Sequence, residues 1–144
     1  IPAIITQIKE SRNSINLGST HTTRDFSYVD DTVDGLILAS REGIAEGETL
    51  NLGTNFEISI NETANLISQI MGAEISINID EIRKRPDESE VDRLWSDNSK
   101  SRKLLCWDPK YSGKAGFING LQKTIEWFDN PKNLNFYKLG SYAI

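Results

Sequence analysis

Between Ser59 and Ile79 the spacing of apolar residues changes from the period of a helix to that of a strand, which limits the chain to a mixed α/β architecture. Ser59-Ile60-Asn61-Glu62 has the form of a capping box, in which the serine and glutamate side chains each satisfy an amide of the other's turn. The helix it opens should bury Ile60, Ala64, Ile67 and Met71, and Gly72 should end it. Residues 75–79 then alternate strictly, which predicts a strand with one buried and one wet face.

The same alternation runs through the rest of the chain. Ile1, Ile4, Ile5 and Ile8 fall at i, i+3, i+4 and i+7, and Pro2 suits a first helical turn. Residues 14–17 and 22–29 read as two strands around a turn, with Arg24 and Asp25 on opposite faces. Asp30 or Asp31 can cap a helix whose Val33, Leu36 and Ile37 share a face. Residues 49–52 form a short strand, and residues 80–93 a charged, irregular segment. Asp97 caps a helix through Leu105. Ile118, Leu121, Ile125 and Phe128 mark the buried stripe of a last helix. With 144 residues this is expected to be one domain, a core over 1–130 and a tail over 131–144.

Composition excludes several functions. A formal net charge of −5 offers no general attraction to nucleic acid or anionic lipid, and no apolar run approaches the roughly 20 residues of a membrane span. One cysteine, Cys106, and one histidine, His21, leave no internal disulfide and no cysteine-based zinc cage, so a reducing, cytoplasmic setting is expected and metal ligands are not. The chain opens Ile1-Pro2-Ala3 and has no signal-peptide pattern, so it is expected to be a piece of something longer.

Four blocks, in order, carry a resemblance. Residues 18–31 read Gly-Ser-Thr-His-Thr-Thr-Arg-Asp-Phe-Ser-Tyr-Val-Asp-Asp and residues 47–54 Gly-Glu-Thr-Leu-Asn-Leu-Gly-Thr. Arg85-Pro86 then leads to Ser89-Glu90-Val91, and Asp97 opens a run ending Leu105-Cys106-Trp107-Asp108-Pro109. A helix from Gly120-Leu121 to Trp127-Phe128 closes the set. This pattern resembles the extended short-chain dehydrogenase/reductase family of NAD-dependent nucleotide-sugar epimerases and dehydratases, with the later blocks most similar to the GDP-mannose and UDP-N-acetylglucosamine 4,6-dehydratases.

The resemblance implies the carboxy-terminal, substrate-binding part of an extended Rossmann-type fold whose glycine-rich, dinucleotide-binding half is missing. Such enzymes bind NAD on GxxGxxG and use a Tyr-x-x-x-Lys pair. This sequence contains neither, so the expectation is no catalytic residue, and NAD held by the absent half. The implied partners are a nucleotide-diphosphate sugar and the amino-terminal Rossmann half, in a homodimeric parent that is a 4,6-dehydratase. A 4-epimerase and a non-catalytic nucleotide-sugar-binding module are the alternatives.

For this half the demand is to meet a pyrophosphate, and guanidinium groups do so with paired planar donors that lysine lacks. Arg24 and Arg85 match the family arginines. The plainer readings are that Arg24 neutralises a neighbouring carboxylate and that Arg85, among Arg83, Lys84 and Arg93, belongs to a solvated basic surface. A carboxylate for the ribose diol falls to Glu88 by spacing, or to Glu90 if the loop is stretched by two residues, and Glu90 is preferred. Asn51 and Ser59 are polar candidates at a strand-to-helix passage, although Ser59 is also a cap and Asn51 can pair with backbone. Asp25 and Asp30 are expected to be structural, fixing Arg24 and capping the next helix. Cys106 stands where the family has glycine, and Trp107 and Trp127 are expected in the core.

Overall fold

The computed structural model describes residues 1–11, 13–41, 43–84 and 87–134. It divides into two units: Ile1–Thr22, Ser59–Asp92 and Leu121–Ile144 form the first, Thr23–Ile58 and Arg93–Gly120 the second.

The first unit is organised by isoleucine. Helix α1 (Pro2–Ser11) turns Ile4, Ile5 and Ile8 inward, and strand β1 (Ser14–Leu17) adds the buried Ile15 and Leu17. Helix α3 (Ile60–Ile70) opens with the expected capping box: Glu62 N donates to Ser59 Oγ at 3.1 Å and Ser59 N donates to Glu62 Oε2 at 3.3 Å. Its Ala64 and Ile67 are fully buried, whereas Ile60 and Met71 are half-buried. Gly72, at φ 62°, ends it in the left-handed region that glycine enters without strain. Strand β4 (Ser76–Ile79) follows, and two 3-10 turns (Glu81–Arg83 and Asp87–Ser89) lie in the segment read as irregular. The late part of α5 (Gly113–Asp129) buries Leu121, Ile125 and Phe128, and a short α6 (Pro131–Leu134) follows. Residues 135–144 of the expected tail lie outside the described residues.

Two expectations about strands change. β1 does not turn back on the next strand. It runs parallel to β4, Ser14 against Ser76 through Leu17 against Ile79. The intervening residues are committed elsewhere, since the Thr20 and Thr22 carbonyls accept from Asn61 N and Ile60 N at the start of α3. At Gly18 a side chain would collide with the Arg83 carbonyl, so this residue passes too close to its neighbour to carry a Cβ. In β4, Ile77 is half-buried and Ile79 is exposed, because a two-stranded sheet gives an edge strand less cover than the strict alternation implied.

The second unit holds a three-stranded sheet ordered β3-β2-β5, with β2 (Thr23–Asp25) central, β3 (Glu57–Ser59) on one side and β5 (Arg93–Leu94) parallel to it on the other. Phe26 and Phe56 pack on Phe117, at ring-centre distances of 5.8 and 6.2 Å. Trp107 is buried as expected and donates from Nε1 to the Asp31 carbonyl at 2.9 Å.

Helix α2 (Val29–Ala39) starts before either proposed cap. Tyr28 is its N-cap and supplies no side-chain bond. Asp30 is exposed. The Asp31 carboxylate is buried and accepts instead from Lys110 N at 2.8 Å and Tyr111 N at 2.9 Å, tying α2 to the loop after Trp107. Val29, Val33, Leu36 and Ile37 do share a face of α2, and the described residues leave that face exposed. Residues 49–52 join no ladder: the Asn51 carbonyl accepts from Ser101 Oγ and the Leu52 carbonyl from Ser27 Oγ, side-chain bonds in place of a strand partner.

The N-cap of α4 (Ser99–Leu105) is Asn98, which supplies no side-chain bond, and the expected cap, Asp97, lies one residue before it. Its carboxylate accepts from Ser99 N at 2.9 Å, and this bond holds its carboxyl below the ordinary range. Cys106 ends that helix at φ 53° and ψ 30°, so the left-handed turn persists without glycine. Trp127 is exposed, packing edge-on to Phe128, which corrects its expected place in the core. Among the described residues no helix is long and apolar enough to cross a membrane, and no group of three potential ligands could hold a metal ion.

Candidate functional site

Arg24 lies in the middle strand of the second unit's sheet, paired with Leu94 of β5. It is half-buried, and Nη1 donates to the Thr23 carbonyl at 2.7 Å. That contact folds the guanidinium back along its own strand. A guanidinium offers planar donors to an oxyanion.

Asp25 takes a different task from the one expected of it. Its carboxylate accepts from Thr54 N at 2.9 Å, Thr54 Oγ1 at 2.6 Å, Asn55 N at 3.0 Å and Ser96 N at 3.3 Å. It therefore braces the loop after Gly53 and the residue after Trp95, and does not fix Arg24. Four donors on one carboxylate hold two irregular segments in register where no ladder could.

Asn51 is in the same unit. Its amide nitrogen donates to the Asp97 carbonyl at 3.2 Å, the backbone pairing set beside a ligand role in the sequence reading. Ser59 lies in the first unit with its hydroxyl in the capping box. Glu90, also in the first unit, accepts from Ser19 Oγ at 3.0 Å and is half-buried, whereas Glu88 is exposed. Arg85 lies outside the described residues.

One group close to Arg24 was not anticipated. Glu57 accepts from Arg93 in a fork, with Nε at 2.8 Å from both carboxylate oxygens and Nη2 also donating to Oε1, and from Thr23 Oγ1 at 2.7 Å. The Arg93 bond, followed by that of Thr23, holds the Glu57 carboxyl below the usual glutamate range, while Glu57 in turn raises the Arg93 value. Arg93 also stands 5.1 Å from the centre of the Trp95 ring. No periodicity links residues 57 and 93, so only the fold reveals the pair.

The residues present do not fit NAD. The sequence contains neither a GxxGxxG turn nor a Tyr-x-x-x-Lys pair.

Comparison with known proteins identifies the family and the fold. The family profile described as GDP-mannose 4,6 dehydratase matches residues 1–119. The dTDP-D-glucose 4,6-dehydratase of Homo sapiens is 32% identical over 93% of this chain and 39% of its own length. Among solved structures, the UDP-glucuronic acid 4-epimerase of Bacillus cereus, in complex with UDP-glucuronic acid and NAD, superposes with a TM-score of 0.72 at 25% identity, over 94% of this chain and 39% of that one. The UDP-glucose 4-epimerase of Thermotoga maritima, with UDP-glucose, gives 0.70 at 28% identity over 91% and 39%.

A fold of alternating helices and short strands, with an arginine–aspartate–aromatic block on its sheet, is thus that of a partial nucleotide-sugar epimerase/dehydratase. The chain belongs to the extended short-chain dehydrogenase/reductase family, on the branch described as GDP-mannose 4,6 dehydratase. It spans about 39% of the length of the relatives named above.

Proposed function

We propose that the chain, over 1–144, is the nucleotide-diphosphate-sugar-binding portion of an NAD-dependent sugar-nucleotide 4,6-dehydratase, with Arg24 and Arg85 meeting the diphosphate and Glu90, or Glu88, the ribose. The observation that carries this reading is Arg24: a half-buried guanidinium in the family's arginine–aspartate–aromatic block, with its planar group oriented by the Thr23 carbonyl. Asn51 and Ser59 are secondary candidates. NAD belongs to an amino-terminal Rossmann half. The exposed stripe Val29, Val33, Leu36 and Ile37 on α2 supports a further body of protein covering that face. The parent is then a homodimer in the reducing cytoplasm, a setting that the free Cys106 suits.

The test is Arg24→Ala in the full-length protein, with affinity for UDP- and GDP-sugars measured calorimetrically. A loss of about tenfold or more is expected, the size of a charged hydrogen bond to phosphate. Unchanged affinity would sink the assignment. A 4-epimerase is the second reading, favoured by the similarity to the epimerases of Bacillus cereus and Thermotoga maritima. Product analysis separates the two, since a dehydratase releases a 4-keto-6-deoxy sugar nucleotide and an epimerase a stereoisomer of equal mass. A stand-alone binding module would bind the nucleotide sugar tightly as the isolated chain and release it unaltered.

A further inference from the structure

Arg24 is one residue from an ion pair that caps no helix and closes no turn. Glu57 of β3 and Arg93 of β5 lie on either side of β2, with Arg93 in register with Thr23. Their fork leaves the Glu57 Oε2 atom to accept the Thr23 hydroxyl as well. The Thr23 carbonyl is in turn the acceptor for Arg24 Nη1.

An exposed ion pair of this sort contributes little to stability. Its value is geometric, because a forked arginine–carboxylate pair fixes two planes relative to one another where a lysine would fix only a distance. Trp95 limits the freedom of the Arg93 guanidinium from one face. With its side chain tied to Glu57 and its backbone paired with β5, the Thr23 peptide has little room to rotate. Arg24 leans on that peptide.

We propose that Glu57, Arg93 and Thr23 are positioning residues for Arg24: the Glu57–Arg93 pair fixes the Thr23 peptide on which the Arg24 guanidinium rests, and so sets the orientation in which Arg24 meets a diphosphate. The inference rests on the assignment of Arg24 to ligand binding made above.

A double-mutant cycle in the full-length protein tests it, with UDP and GDP as probes and the tighter of the two carried through. Glu57→Gln weakens binding about fivefold when Arg24 is present and has no further effect in Arg24→Ala. Arg93→Lys, which keeps the charge but not the fork, gives a smaller loss of the same kind. Thr23→Ser retains affinity and Thr23→Val does not, while circular dichroism shows each variant folded. Equal effects of Glu57→Gln with and without Arg24, or no effect at all, overturn the positioning role and leave the Arg24 assignment intact. If Arg24→Ala binds as tightly as the unaltered protein, or neither probe binds, the assignment of Arg24 itself is overturned.

Discussion

The first unit of the chain packs isoleucine on isoleucine, whereas the second hangs its loops on two aspartates. Ile4, Ile5, Ile8, Ile15 and Ile67 bury apolar surface, a force that has no direction and tolerates small shifts. Asp25 and Asp31 instead collect backbone amides from segments far apart in sequence. Such bonds are directional, and an irregular loop held by them keeps one shape. The contrast suits a division of labour: regular elements make the scaffold, and the unit that carries Arg24 spends polar groups to place non-regular backbone.

The sharpest way to break the contrast is to remove one member of each set. Ile67→Ala should cost about 4 kcal/mol in urea unfolding, the range for a fully buried isoleucine that leaves a cavity. Asp31→Ala should cost about 3 kcal/mol, because the Lys110 and Tyr111 amides lose a buried acceptor. Hydrogen exchange at those two amides should rise with it. A cost under about 1 kcal/mol for Asp31→Ala would mean that the aromatic packing of the second unit, and not its carboxylates, holds the loop.

Cys106→Gly should stabilise the protein by about 0.5–1 kcal/mol, seen as a higher melting temperature, since a residue with a Cβ pays for a left-handed turn that glycine adopts freely. Loss of stability instead would show that the thiol packs usefully there. Smallest is the pH effect. The Glu57 carboxyl titrates below the ordinary value of 4.5, so the contribution of its pair is complete above that value and fades as pH falls through the lower, folded one. Carbon-detected NMR should show the Glu57 titration moving upward in Arg93→Ala; an unmoved curve would deny the fork any electrostatic effect.

What could be read in advance follows the same divide. Local, periodic features were legible: the Ile4–Ile5–Ile8 face of α1, the Ser59–Glu62 box, the stop at Gly72 and the Leu121–Ile125–Phe128 stripe all lie within a few turns of chain. Asp31 was misread because an aspartate at a helix start usually caps that helix, and nothing local shows a carboxylate turned toward residues 110 and 111. The parallel partner of β1 was hidden for the same reason, as was the lack of any ladder for residues 49–52. Trp127 is exposed because a helix that buries Leu121, Ile125 and Phe128 has no second face to give it. For the candidate site, the place of Arg24 on a strand was legible through its block of neighbours. The Glu57–Arg93 pair was not, since two charged residues 36 apart carry no pattern.

Both small sheets pair strands in parallel, Ser14 with Ser76 and Thr23 with Arg93. Neither pairing can close until most of the intervening chain has been synthesised, and long loops of this kind slow the search for the native state. While the ribosome is still producing α3, β1 and the edge of β2 that receives β5 have no strand beside them, and a nascent chain in that condition is the natural client of a chaperone.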